Sequence, residues 1–577
     1  MQILRMRGAM RVAFIAAITL LPGACGKVKL PHRHRQITHN WTPAQVQTVA
    51  GVPAAAIDTA IAARLAADRP KEVPASRWEH VQRLYKAYDG KALWMESEGP
   101  NRARTNALLQ AIASADSDAL RMDKYPLTEL VQTIGTVRET KTPTAEQLAN
   151  ADVLLTTAYI ALSEDLLSGQ TNPKDLAQDW HISAGREQLD SAVALSLRSD
   201  SLGEGIALMR PQDDDYAALQ KELGRFRDIV NKGGWAQVPA GKALKRGDRE
   251  SPARLDALRA RLAAEGFGVD STSVASDDTS RAASANRYDR ALAGAVADFQ
   301  AHHGIVVDSM LGDETLQSLN VPADYRLAQI AANLERFRWL PRNLGQRYIF
   351  VNVPAFRLQA YDSGQKVLEM KVIVGQEYEG KKTPVFADSM ETVVFRPYWL
   401  VTPDIQRTEI GPKAAANPGY LAANDMEYYK DGGQTRIRQR PGPKNALGYV
   451  KFLFPNDFNI YLHDTPNHEL FDKDVRAFSH GCIRVEKPVE LASWVLGWDQ
   501  SKVQEYEQGK DNNAVRVPRK LPVYIEYATA YVKDGQLYFG NDLYHRDDEL
   551  VKAIADGALP SPRAVQALEA LKRIATG

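Results

Sequence analysis

Near residue 340 the spacing of apolar residues switches from helical to strand-like, and that switch limits the fold more than any other feature of the chain. Before it, apolar side chains recur every three or four residues, in segments such as 76–88, 104–115 and 145–167, with Pro100, Pro126, Pro143 and Pro173 as interruptions. That spacing puts one apolar stripe on a helix. After it, short runs rich in Val, Ile, Tyr and Phe stand at 348–353, 367–374, 392–396, 449–454, 460–462 and 523–532, the composition of strands. Helical spacing returns from 547 to 575. With 577 residues, 44% of them hydrophobic, the chain can bury several cores, so a multidomain α+β protein is expected and a disordered chain is excluded.

Seventy-two Lys and Arg against 71 Asp and Glu leave a net charge of +1, so no global field selects nucleic acid or an anionic membrane surface as partner. The only cysteines are Cys25 and Cys482, too few for a disulfide framework or a four-thiolate zinc site. Arg5, Arg7 and Arg11 precede an almost wholly apolar run from 12 to 21, which ends in Pro22-Gly23-Ala24-Cys25. Ten helical residues rise about 15 Å, half of a bilayer core of about 30 Å, so residues 1–25 read as a signal peptide and not as a permanent span. The small residues before Cys25 resemble a lipoprotein processing site, although Pro22 stands where an aliphatic residue is usual. Lipidation of Cys25 and ordinary cleavage nearby both stay open. The expected location is the periplasm or cell envelope, with membrane attachment only through such an anchor.

Residues 40–240 read as a helical scaffold, in which Trp78, Tyr85, Tyr88, Trp94, Tyr159 and Trp180 build core. Residues 243–322 hold amphipathic helices at 255–262 and 291–302, separated by a polar stretch, 271–285, expected to be a surface loop. Residues 345–530 form the β-rich domain. Within it, 397–447 is rich in Pro, Gly and Asn and too long for a simple connection, so it is expected to be an irregular capping lid. Asp534-Gly535 predicts a hairpin turn, which with the final helices makes a C-terminal unit, 531–577.

Cys482 lies in Ser479-His480-Gly481-Cys482-Ile483-Arg484, nineteen residues after His463 in Tyr461-Leu462-His463-Asp464. A thiol attacks a carbonyl as thiolate, and its ordinary pKa near 8.5 calls for a neighbouring imidazole or cation. If 460–463 and 483–485 are adjacent strands, the loop between them returns Cys482 to His463, which then ionises the sulfur. Gly481 permits a tight turn and close substrate approach, and nearby N–H groups can serve a developing oxyanion. This arrangement suits acyl transfer. His463, His480 and Cys482 could instead be three ligands of a catalytic zinc.

His463 together with Ser-His-Gly-Cys-Ile-Arg at 479–484 resembles the signature of the L,D-transpeptidase family, whose catalytic domain is of the YkuD type. Further likeness, to the large subfamily with a helical scaffold and a small three-helix peptidoglycan-binding module, lies in Phe395-Arg-Pro-Tyr-Trp399, Gln439 to Gly448, Lys451-Phe452 and Tyr461 to Pro466. The module itself is resembled by Leu258 to Phe267, Ala295 to Gln300, Gly304 and Leu311 to Leu316, with Asp308-Ser309 in place of the usual Asp-Gly.

The resemblance implies Cys482 as nucleophile, His463 as base and the Asp464 carbonyl as its orienter. It further implies oxyanion donors at Gly481 and Cys482 with Tyr461, and Arg484 holding the turn or a substrate carboxylate. Ser479, His480, Trp399 and Asn445 would border the substrate, Trp399 in the cap. The implied reaction takes the stem tetrapeptide of peptidoglycan, releases D-Ala, and joins the thioester to a second stem as a 3→3 cross-link. It needs no cofactor and implies glycan and cell-wall synthases as further partners. A non-catalytic wall-binding scaffold and a zinc peptidase remain the alternatives.

Overall fold

The computed structural model describes residues 38–176, 179–183, 189–268, 286–378 and 380–576. The export segment with Cys25, and the loop expected at 271–285, lie outside the described residues.

The β-rich domain is built on β1 (Arg347–Asn352), β2 (Arg357–Asp362), β3 (Gln365–Gly375), β4 (Phe386–Phe395), β5 (Val450–Leu453), β6 (Leu462–His463), β7 (Ala477–Ser479), β8 (Ile483–Val485) and β9 (Asn513–Glu526). They lie in the order β7-β3-β8-β6-β5-β4-β9-β1-β2, and β2 also pairs with β3. The sheet thus closes on itself and removes its long edges. Period-two alternation sends Ile349 and Val351, Val393 and Phe395, and Val450 and Phe452 into its core, all fully buried.

Strand β9 begins ten residues before the apolar run at 523 that announces it, because its pairing with β4 shifts register between Arg516 and Leu521. Val517-Pro518-Arg519-Lys520 occupies that irregularity and breaks the hydrophobic alternation. The same run divides at its far end. β9 stops at Glu526, and a separate hairpin pairs Ala530–Lys533 with Gln536–Phe539. Its turn residues Asp534 and Gly535 both have positive φ, 51° and 77°, as a two-residue primed turn requires.

The capping segment is more ordered than its composition suggests. A hairpin, Met426–Asp431 with Gln434–Gln439, pairs on to Trp399–Leu400, and short helices over 403–423 fold against it. Val401, Ile410, Met426 and Ile437 form a small core of its own. Gly432-Gly433, both at positive φ, make the hairpin turn that a reading by composition takes for loop.

Trp78, Tyr85, Trp94 and Tyr159 are buried in the scaffold core. Trp180 instead joins the barrel core, where it meets Trp339 edge-on at 5.1 Å between ring centres. The last helix, Pro562–Thr576, returns to pack on Arg102–Ser114 and Leu127–Glu139 of the scaffold. The module folds as helices Pro252–Glu265, Arg290–His302 and Asp313–Leu319 around Leu258, Val296 and Phe299.

Helix Ala323–Arg338 joins these parts. Arg336 Nη1 donates to Asp547 Oδ1 at 2.6 Å and to Thr529 Oγ1 at 3.1 Å, while Gln329 Nε2 donates to Asp547 Oδ2 at 2.9 Å. On its other side Glu335 accepts from Arg338 Nη2 at 2.6 Å and, from the scaffold, from the Thr171 N–H at 2.8 Å. All of these side chains except Thr171 are buried. Asp547→Ala removes the carboxylate that balances the Arg336 charge in the core and is expected to destabilise the unfolding transition containing the barrel by about 3–5 kcal/mol. Asp547→Asn keeps hydrogen-bond partners and loses less, and denaturant titration followed by tryptophan fluorescence separates the two.

Candidate active site

The site is carried by β5, β6 and β8. Lys451 stands opposite His463 in the antiparallel β5–β6 pair, and Arg484 is its partner in the parallel β6–β8 pair. Phe452, Leu462 and Ile483 of the same strands are fully buried in the barrel, so alternation turns Lys451, His463 and Arg484 to the other face. Tyr461 and Cys482 precede the paired Leu462 and Ile483, and the Ile483 N–H donates to the Tyr461 carbonyl at 3.0 Å. The crossover from β6 to β8 therefore brings imidazole and thiol to one face.

His463 Nδ1 donates to the Asp464 carbonyl at 2.5 Å, which fixes the tautomer and leaves Nε2 as the proton acceptor. Burial, with Arg484 and then Lys451 repelling a second positive charge, pushes the imidazole down to about 3. The Cys482 thiol points at the Asn459 carbonyl, 3.6 Å away. Burial pushes it above the ordinary thiol range; Tyr461, Lys451 and Arg484 pull the other way without prevailing. Desolvation thus favours the neutral form of both partners. Both shifts run against the expectation that the imidazole ionises the sulfur at rest, since each favours the uncharged form.

The turn before Cys482 is fastened by side chains. Ser479 Oγ donates to the Cys482 carbonyl at 2.5 Å and accepts the Gly481 N–H at 3.1 Å, and Thr383 Oγ1 donates to the Gly481 carbonyl at 2.8 Å. Gly481 has φ +109°, and a Cβ there would sit 3.1 Å from Ile460 Cδ1. Because its N–H is held by Ser479, Gly481 is not placed as an oxyanion donor; its contribution is conformational.

Other expected site residues also act at one remove. The Asp464 carboxylate accepts the N–H groups of Tyr449 at 2.8 Å and Thr465 at 2.7 Å. It can approach because Gly448, at φ +58°, has no Cβ, which would fall 2.1 Å from Asp464 Oδ2. Asn445 is buried, donating to the carbonyls of Pro397 at 3.0 Å and Arg440 at 2.9 Å and accepting from the Leu447 N–H at 2.8 Å. It ties the cap to the barrel. Trp399 packs on the cap's own core. His480 Nε2 turns away from the sulfur and donates to Glu409 Oε1 at 2.6 Å, which also takes Lys381 Nζ at 3.2 Å. Among the described residues no three His, Cys, Asp or Glu side chains converge as a metal site, so His463, His480 and Cys482 do not form a ligand set.

The Lys451-Phe452 pair stands out in the sequence without a role for the lysine, whose Nζ lies 3.7 Å from the Tyr461 ring centre. Three contributors escape a reading of motifs. Thr383 and Tyr544 act through the fold: the Tyr544 hydroxyl accepts from the Thr383 N–H at 3.2 Å and donates to the Gly375 carbonyl at 2.8 Å. Glu409 comes from the cap.

Residues 346–525 match the family model for the L,D-transpeptidase catalytic domain, residues 79–223 match a scaffold domain, and residues 252–319 match a domain described as "Putative peptidoglycan binding domain". A Haemophilus influenzae protein named "Putative L,D-transpeptidase" is 32% identical over 242 residues, which cover 38% of this chain and 48% of that protein. The match thus spans about half the length of that relative. The crystal structure of an L,D-transpeptidase (residues 123–326) from Xylanimonas cellulosilytica aligns at 16% identity and a TM-score of 0.17, over 50% of this chain and 99% of that one.

An unfolded imidazole titrates near 6.5 and the folded His463 near 3, so between those values the unfolded chain binds the additional proton and stability rises with pH. The stability difference between wild type and His463→Phe should therefore change as pH falls from 6.5 towards 3 and stay flat above 7, as urea titrations across pH would show. Gly481→Ala forces a side chain into the left-handed region and is expected to cost about 1–2 kcal/mol. It should also slow iodoacetamide alkylation of Cys482, read by peptide mass spectrometry.

Proposed function

We propose that this chain, whose residues 346–525 carry an L,D-transpeptidase catalytic domain, is a cysteine-dependent peptidoglycan transpeptidase of the cell envelope. The observation that carries the reading is the shared face of Cys482 and His463, with Nδ1 locked on Asp464 and Nε2 free to accept a proton.

As the Cys482 sulfur attacks the carbonyl carbon of the donor stem's third residue, the thiol proton passes to His463 Nε2. A thiolate formed at that moment meets the cations Lys451 and Arg484, already held on the same face. The Cys482 backbone N–H and the Tyr461 hydroxyl serve the tetrahedral oxyanion. His463 then protonates the departing amine of terminal D-Ala, leaving a thioester. The side-chain amine of a second stem attacks that carbonyl and gives its proton to His463. The sulfur departs and is reprotonated, and a 3→3 cross-link remains. Bond energy kept in the thioester makes ATP unnecessary outside the cell. Water or a free D-amino acid in place of the amine would give carboxypeptidase or exchange activity.

Arg484 Nε is buried and meets no acceptor among the described residues, which supports capture of a stem carboxylate. A peptidoglycan-binding domain on the same chain supports a wall polymer as substrate. Among the described residues no helix is long and apolar enough to cross a membrane; the envelope location, an anchor at Cys25 and an association with cell-wall synthases rest on the reading of the sequence.

Cys482→Ala is expected to leave the circular dichroism spectrum and unfolding midpoint near those of wild type and to abolish the covalent adduct with a carbapenem or a disaccharide-tetrapeptide. Intact-mass spectra decide it: an adduct persisting on the variant would refute the nucleophile. Muropeptide analysis of wild-type products then identifies leaving group and acceptor.

A further inference from the structure

Aminolysis of the thioester produces a proton that Cys482 and His463 do not absorb. An alkyl amine near neutral pH is an ammonium, and it loses two protons on becoming an amide nitrogen. One returns to the sulfur through His463. The other has to leave before the attack, because an ammonium has no lone pair, and it ends in water. A second base therefore has a defined task beside the thiol face.

His181 lies within the scaffold match, yet its segment is built into the barrel. The His181 N–H donates to the Val385 carbonyl at 2.8 Å and the Val385 N–H to the Asp179 carbonyl at 3.1 Å, a parallel bridge that seats Trp180 in the barrel core. Both segments of the catalytic domain that touch His181 also touch the turn of the nucleophile. In the first, two residues before Val385, Thr383 Oγ1 donates to the Gly481 carbonyl at 2.8 Å, and a Cβ on Gly481 would lie 3.5 Å from the Lys382 carbonyl. In the second, the Phe458 ring meets the His181 ring at 4.6 Å between centres, while the next two residues, Asn459 and Ile460, lie against the Cys482 sulfur and Gly481. His181 Nε2 donates to Asp179 Oδ1 at 2.9 Å, and Arg546 Nη2 holds Asp179 Oδ2 at 2.7 Å. A carboxylate on Nε2 leaves Nδ1 as the proton acceptor. The His181 side chain is 44% exposed, so a proton taken there can pass on to water.

We propose that His181 is the base that takes the first proton from the acceptor ammonium, so that the scaffold supplies a catalytic side chain to the domain it carries. The proposal rests on the transpeptidase reading. The ammonium gives one N–H proton to His181 Nδ1, and the freed lone pair forms the C–N bond to the thioester carbonyl carbon. His463 Nε2 takes the second proton and returns it to the sulfur as the C–S bond breaks. The His181 imidazolium, held by Asp179, releases its proton to solvent. One cation enters as ammonium and one leaves as that proton, with an amide and a thiol as products. Water as acceptor is neutral and needs no such step, so the two acceptors differ in their need of His181.

The test isolates the second half-reaction on the full-length protein. The Cys482 acyl-enzyme formed from disaccharide-tetrapeptide is mixed with methylamine, an ammonium at neutral pH, or with hydroxylamine, which is of similar size and carries a free lone pair under the same conditions. Loss of the adduct is followed by intact-mass spectrometry. In His181→Ala and His181→Asn, acylation is expected at the wild-type rate, aminolysis by methylamine about a hundredfold slower, and reaction with hydroxylamine little changed. Aminolysis by methylamine at the wild-type rate overturns the base. Equal slowing with both amines, or slowed acylation in both variants, also overturns it and leaves His181 a packing role on the Phe458 loop. Failure of the transpeptidase reading shows separately, as a wild-type chain that forms no acyl-enzyme, and that outcome overturns the base with it.

Discussion

The parallel pairing of β6 with β8 is the constraint on which the site depends. Parallel neighbours cannot be joined by a tight turn, so after His463 the chain crosses over, adds the short strand β7 beside β3, and returns alongside β6 just after Cys482. Nineteen residues of separation in sequence become adjacency in space because Leu462 and Ile483 are register partners buried in the barrel. A slip of one residue would turn either the imidazole or the thiol inward. The energy that holds catalytic geometry is thus supplied by apolar burial on the opposite face of the same strands.

Burial also sets the protonation state. It raises the thiol and depresses the imidazole, while Lys451 and Arg484 place positive charge where a thiolate would form. Such surroundings favour the neutral thiol before attack and the anion once it is generated, and a thiol held towards its neutral form reacts more slowly with oxidants.

The reading of the sequence located most of the architecture, because a change of hydrophobic period survives any detail of packing. It failed where polar residues sit in strands: Arg357-Leu-Gln-Ala-Tyr-Asp362 alternates correctly yet is too polar to announce β2, and Val517-Pro518 conceals the middle of β9. Cys482, His463, Ser479 and Arg484, singled out by their motif, lie on adjoining strands and on the turn that leads into β8. Asn445 and Trp399, expected beside a substrate, are engaged in the cap and its junction with the barrel, and spacing does not distinguish a group that touches a ligand from one that supports the loop that does. Thr383, Tyr544 and Glu409 were illegible because their contribution depends on contacts across 98, 169 and 71 positions of chain.

Each of β5, β6 and β8 is hydrogen-bonded on both flanks. No extended peptide can add itself to them by backbone pairing, which is the usual way a protein grips a peptide irrespective of its side chains. A residue of D-configuration favours mirror-image dihedrals and could not continue a strand in any case. A surface whose strands are already saturated makes no such demand, and so a peptide of mixed chirality would lose nothing by binding there.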